Sequence, residues 1–306
     1  VNAKAIKNIG ASVRQRLLNK AREDKRPFQE LLQYYAMERF LYRLSVSSFA
    51  DRFILKGALL LRVWQAPLAR PTMDIDMLGR TANAPENITT IIHQVLAVEE
   101  QEDGIIFDPE SITIEPISED ADYEGLRARF RGHLDAARLT IQLDIGFGDK
   151  VFPELVQELL PSLLNFPPAE MYCYSRESMI AEKFEVMAKL GILNSRLKDF
   201  YDIWMLSRQY NFEGGRLAEA IKQTFEQRGT ILVEPQEIFS RKFIEEKQTQ
   251  WTAFRQRIGL EFLPEDFNQI VQQLELFLSP IVKTLIEKGS YGESWIAPDT
   301  WQGNQP

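Results

Sequence analysis

A chain of 306 residues, 44% hydrophobic and 26% charged, has an ordinary globular composition and is long enough for one large domain or two. A single cysteine excludes an internal disulfide, and two distant histidines, His93 and His133, exclude a clustered zinc site. The net charge of −8 argues against general coating of nucleic acid, though not against one local basic cleft. No apolar run approaches the roughly 20 residues of a membrane span. Residues 1–10 lack the apolar core of a secretory signal, so the expected location is the cytoplasm, with no membrane partner.

The first fifty residues read as helical, with Tyr34, Met37, Leu41 and Leu44 at helical spacing and Glu38, Arg39 and Arg43 interleaved. A short β-type run, 53–55, leads through Lys56-Gly57 into a helix-like stretch over 58–64. Pro67 and Pro71 then mark a turn before a second β run over 73–78. Residues 81–101 read as a helix starting after Pro85, and residues 105–150 alternate like strands. Residues after Pro153 read as mostly helical to about 285, and the last fifteen as a tail. The expected class is α+β: N-terminal helices over 1–50, a small mixed β-sheet core with its own helices over 51–152, a helical C-terminal region over 153–290 and a tail over 291–306. Cys173, between two tyrosines, reads as a small half-buried hydrophobe rather than a nucleophile.

Chemistry must therefore rest on carboxylates, lysines and arginines, and Thr72-Met73-Asp74-Ile75-Asp76-Met77 is the most informative segment. In a strand, residues two apart share a face, so Thr72, Asp74 and Asp76 point one way and Met73, Ile75 and Met77 into a core. Two acids on one face repel, and a divalent cation removes that conflict. Magnesium takes a few carboxylates plus phosphate oxygens, which makes the pair a seat for a metal–triphosphate complex. The alternative is a solvated strand edge with two exposed acids. A strand, Gly57 and a helix just before the acids would add backbone N–H groups facing phosphate, with Lys56 and Arg62 supplying positive charge. Gly57 alone also reads as an ordinary strand-to-helix turn. In 139–144, Leu139, Ile141 and Leu143 take the buried face and Asp144 the other, so Asp144 becomes a third acid if the strands are neighbours. Asp149 reads as a turn residue.

Downstream, Ser175 suits the N-cap of a helix ending near Gly191. Lys183 falls within its apolar stripe and must snorkel, pair with an acid or reach a cleft. A second helix starts after Ser195, with Arg196–Asp199 and Lys198–Asp202 at pairing distance and both acids on the face of Ile203 and Leu206.

Four pieces in this order carry a resemblance. Lys56-Gly57-Ala58-Leu59-Leu60-Leu61 and Arg70-Pro71-Thr72-Met73-Asp74-Ile75-Asp76 resemble the first motifs of the AbiEii/AbiGii-type nucleotidyltransferase toxins. Ala181-Glu182-Lys183 and Arg196-Leu197-Lys198-Asp199-Phe200-Tyr201-Asp202 resemble their later motifs. The resemblance spans roughly residues 30–210 and implies a polymerase-β-like nucleotidyltransferase fold. It implies magnesium on Asp74 and Asp76, with Asp144 as the third carboxylate of the superfamily's general plan. Gly57, flanked by Lys56 and Ala58, would lie beside the triphosphate, and Lys183 with Asp199 or Asp202 would be the later essential lysine and acid. Arg62, Thr72, Arg196 and Lys198 complete the expected nucleotide-binding set. Ala58 departs from the serine usual after that glycine, removing a hydroxyl contact to phosphate. The implied activity is transfer of a nucleoside monophosphate from an NTP to a hydroxyl, with a tRNA end as acceptor and a winged-helix antitoxin as partner. A protein or small-molecule acceptor, or a binding module without catalysis, are the alternatives.

Overall fold

The computed structural model describes residues 8–66, 70–98, 102–117, 125–259 and 262–303, so Pro67 of the expected turn lies outside the described residues. The chain divides into two units, Val1–Gly148 with Val156–Cys173, and Asp149–Leu155 with Tyr174–Pro306. No helix among the described residues is long and apolar enough to cross a membrane.

The first unit has helices α1 (Ile9–Glu23), α2 (Phe28–Ser45), α3 (Leu60–Val63) and α4 (Pro85–Leu96). Its strands are β1 (Phe53–Lys56), β2 (Ile75–Gly79), β3 (Ile105–Pro116), β4 (Gly125–Leu134), β5 (Ala137–Phe147), β6 (Val156–Leu160) and β7 (Ala169–Cys173). They form one mixed sheet in the order β3-β4-β5-β2-β1-β7-β6. β2–β5 and β1–β7 pair in parallel, and the remaining neighbours are antiparallel. Period-two burial explains the strands that build the site: Leu139, Ile141, Leu143 and Ile145 of β5 and Ile75 and Met77 of β2 enter the core.

α2 is buried at every position from Glu30 to Leu44, so the charges interleaved in it must find partners inside the unit. They find them far away in sequence. Glu38 accepts from the Ser162 hydroxyl and the Leu163 N–H, both at 2.8 Å, and pairs with Arg39. Burial still raises the Glu38 carboxyl above its ordinary range, against the pull of Arg39. Arg43 donates to both oxygens of Asp103, at 2.8 and 3.1 Å. Gln33 donates to the carbonyl oxygens of Met73 and Thr140, tying α2 to the residues just before β2 and to β5.

The second unit has helices α5 (Arg176–Leu190), α6 (Leu197–Gln209), α7 (Gly214–Arg228), α8 (Arg241–Ile258) and α9 (Phe267–Ile286). Strands β8 (Phe212–Glu213), β9 (Glu293–Ile296) and β10 (Thr300–Gly303) form a small sheet in the order β10-β9-β8. An aromatic cluster fills the helical core, with Phe200 against Phe243 at 5.5 Å and Trp251 against Phe267 at 5.3 Å.

Three expectations need correction. Residues after Pro153 do not turn helical at once, because β6 and β7 return to the first unit's sheet, with Ala169, Met171 and Cys173 buried in alternation. The presumed tail over 291–306 contains a hairpin, β9–β10, anchored by Trp295. Trp295 is fully buried, packs 4.8 Å from Phe277 and donates to the Ser207 carbonyl at 2.6 Å. The helix expected over 81–101 is shorter, ending at Leu96.

Candidate functional site: a three-carboxylate cluster on the mixed sheet

Parallel pairing of β2 with β5 sets Asp76 directly across from Asp144. Asp74 lies just before β2, and one carboxylate oxygen from each of Asp74, Asp76 and Asp144 lies within 4.8 Å of the others. All three are half-buried. Ile75 and Met77 point into the core as expected. Met73 does not: it precedes the strand and is 49% exposed, while Thr72 is buried. The Thr72 hydroxyl donates to Asp74 Oδ1, and the Thr72 N–H donates to the Tyr34 hydroxyl at 3.0 Å.

Gly57 closes the site from β1. Its φ is +69°, the left-handed region that favours glycine. A Cβ at this position would overlap Asp76 Oδ2 and stand 2.6 Å from Asp76 Cγ. Gly57 is therefore required twice, by backbone conformation and by the carboxylate lying against it. The helix expected after it is only a 3-10 turn, Gly57–Leu59, followed by the single α turn α3, so helical N–H groups contribute less here than the sequence suggests.

Lys56 is buried and faces Asp76 in the β1–β2 register, and Ala58 is buried. Arg62 is turned onto the Tyr34 ring, 4.4 Å from its centroid, and burial lowers its pKa although a guanidinium there stays charged. The cluster's clearest electrostatic partner was not legible in the sequence. Arg127 of β4 faces Asp144 in register and donates from Nε to Oδ1 at 2.8 Å and from Nη2 to Oδ2 at 2.7 Å. Only knowledge of the β4–β5 register would have exposed it.

The donor set fits a hard divalent cation. Three converging carboxylates exceed the positive charge of Arg127 and of the buried Lys56 opposite Asp76, and oxygen-only ligands suit magnesium. Cys173 offers no competing chemistry: it is buried, and burial pushes its thiol up to about 12.

In the second unit, α5 forms as expected, with the Ser175 hydroxyl accepting from the Ser178 N–H and Gly191 closing the C-terminus at φ +49°. Lys183 is neither snorkelling nor free. Its ammonium donates to Asp199 Oδ1 at 2.7 Å and lies 2.9 Å from Asp202 Oδ2. Arg196 Nε reaches Asp199 Oδ2 at 2.8 Å. Asp199 and Asp202 are fully buried, as their place on the face of Ile203 and Leu206 suggests, and Lys183 holds Asp202 while Lys198 is exposed, so the alternative of a solvated Lys198–Asp202 pair does not form. Burial alone would raise the Asp199 carboxyl, but the charges of Lys183 and Arg196 and their hydrogen bonds outweigh it and hold it well below the usual carboxylate range.

With this geometry in place, comparison with known proteins decides the family. The family described as nucleotidyl transferase AbiEii toxin, type IV TA system, matches residues 39–273. The chain belongs to this family. Its activity class is nucleotidyl transfer, and its family is one of toxins of toxin–antitoxin systems. The fold is similar to that of MenT4, a nucleotidyltransferase toxin from Mycobacterium tuberculosis, at TM-score 0.50 and 17% identity over 92% of this chain and 99% of that one. JHP933 from Helicobacter pylori matches at TM-score 0.47 and 17% identity, covering 85% of this chain and 94% of its own. No curated protein gives a significant match to the sequence.

Two outcomes follow from these contacts. Gly57→Ala is expected to cost at least about 1–2 kcal/mol from the left-handed backbone alone, read by urea unfolding, with further loss of transfer activity as Asp76 is displaced. Lys183→Met leaves buried carboxylates short of a cation, a loss of about 3–5 kcal/mol at pH 7. Because the folded Asp199 pKa is depressed, its contribution is present above the unfolded carboxylate range and is lost as pH falls through the folded value. The gap between wild type and variant should therefore hold from pH 7 to about pH 4 and narrow only as pH falls below the unfolded carboxylate range, in matched urea titrations.

Proposed function

We propose that the chain transfers a nucleoside monophosphate from a nucleoside triphosphate to a hydroxyl at the end of an RNA, a tRNA above all. It would act in the cytoplasm as the toxin of a pair whose other member is a winged-helix antitoxin. The observation that carries this reading is the convergence of Asp74, Asp76 and Asp144 against Gly57 in a chain of the nucleotidyltransferase toxin family.

Asp74, Asp76 and Asp144 would hold magnesium. When bound, the metal supplies neutralisation of phosphate charge and activation of the attacking hydroxyl. The chain's own residues supply positioning. Gly57, lacking a side chain, lets the triphosphate approach the main chain beside Asp76. The Thr72 hydroxyl fixes one oxygen of Asp74, and Arg127, by taking both oxygens of Asp144, fixes the plane of that carboxylate. In the reaction the acceptor oxygen bonds to the α-phosphorus and gives its proton to a carboxylate of the cluster. The bond from that phosphorus to the bridging oxygen breaks, and pyrophosphate leaves with the electron pair. The family resemblance adds a phosphate role for Lys183, with Arg196, Asp199 and Asp202 as its network.

Purified protein incubated with each labelled NTP, magnesium and tRNA should transfer label to the RNA, and Asp76→Ala should abolish it. Absence of label with all four NTPs across a broad RNA pool would overturn the reading. Label on protein instead of RNA would move the acceptor while keeping the chemistry.

A further inference from the structure

The solvent face of β4 and β5 carries a row of cations, only the first of which the chemistry above uses. Alternation on β4 buries Leu126, Ala128 and Phe130 and turns Arg127, Arg129, Arg131 and His133 to the other face. Beside them on β5, in register, stand Asp144, Gln142, Thr140 and Arg138. The row thus starts at a carboxylate of the cluster and runs along about 20 Å of strand, with same-face residues about 6.6 Å apart. In a chain of net charge −8, this is a row of closely spaced arginines leading away from the cluster, faced by Glu115, Asp108 and Asp135.

The acids opposite hold these arginines weakly. Arg131 pairs with Asp108 at 2.9 Å, but the side chains are 69% and 37% exposed. Arg129 pairs with Glu115 in a similarly exposed position and also donates to Gln142 Oε1 at 3.0 Å. Exposed pairs of this kind are worth about 0–1 kcal/mol, so a phosphate can replace either acid at small cost. Arg131, His133, Arg138 and Thr140 line an open groove of about 720 Å³, whose wall also includes Asp108 and Asp135. Alternating fixed charges suit one strand lying in a defined register better than bulk polyanion coating, in keeping with the overall negative charge.

We propose that this arginine row is the track for the acceptor RNA strand. Its phosphodiesters lie along Arg129, Arg131 and Arg138, Thr140 and Gln142 offer hydrogen bonds to ribose or base, and the strand end reaches the carboxylates at Asp144. The inference rests on the nucleotidyl-transfer reading for its choice of RNA, but its binding test does not require turnover.

The test compares two proteins that share Asp76→Ala, one of them also carrying Arg131→Gln and Arg138→Gln, by fluorescence anisotropy with a labelled single-stranded RNA across a salt series. The arginine variant should bind at least about 10-fold more weakly, with its log–log salt slope reduced by about 0.7 for each arginine removed. Restoring charge with Arg131→Lys and Arg138→Lys should recover most of the affinity. With Asp76 intact, the KM for RNA should rise while the KM for NTP holds. Unchanged affinity and salt slope, or absence of RNA binding by the parent protein, would overturn the track. RNA binding that depends on the row, in a wild-type protein that transfers no nucleotide, would leave the track standing and remove the transfer reading instead.

Discussion

Three carboxylates whose oxygens lie within 4.8 Å of one another repel, and the local structure of the first unit is arranged around that repulsion. Two unit charges 4 Å apart at an effective dielectric near 20 interact by roughly 4 kcal/mol, large against the stability of a whole domain. Parallel pairing of β2 with β5 forces Asp76 and Asp144 side by side, and β1 brings Gly57 against the back of Asp76. Relief comes from the paired N–H groups of Arg127 on Asp144, the Thr72 hydroxyl on Asp74, the buried Lys56 opposite Asp76 in register, and the divalent cation proposed for the cluster. A strand pairing that served stability alone would not gather these charges.

The second unit handles buried charge differently. Lys183 lies between Asp199 and Asp202, and Arg196 adds a second cation to Asp199, so the fully buried acids have charged partners within 3 Å. A similar cluster surrounds Arg228, which meets Asp149, Glu182 and Glu185 across the α5–α7 packing. Such networks stabilise only when complete, since removing one member strands a charge in a low dielectric. They fix the geometry of α5 and α6 around the later motif residues.

What could be read from the sequence was what depends on local period. The face shared by Asp74 and Asp76, the outward turn of Asp144, the Ser175 and Gly191 caps and the awkward place of Lys183 all follow from spacing along one element. What could not be read depends on partners distant in sequence. Arg127 looks like any strand arginine until β4 is set against β5. α2 looks amphipathic, yet Glu38 and Arg43 are buried because Ser162, Leu163 and Asp103 meet them from 60 to 125 residues away. The aromatic C-terminal residues looked like a tail because Trp295 gains its meaning only from Phe277 and Ser207. Met73 was misplaced for a smaller reason: β2 begins two residues later than the β run suggests.

The negative charge that Asp74, Asp76 and Asp144 carry beyond Lys56 and Arg127 calls for a divalent cation. Manganese, a spin-active stand-in for magnesium, reports this directly through the loss of its free-ion electron paramagnetic resonance signal on titration with protein. Manganese binding should be saturable, displaced by magnesium and greatly weakened by Asp76→Asn. Equal binding by the wild type and Asp76→Asn, or binding that magnesium cannot displace, would contradict it.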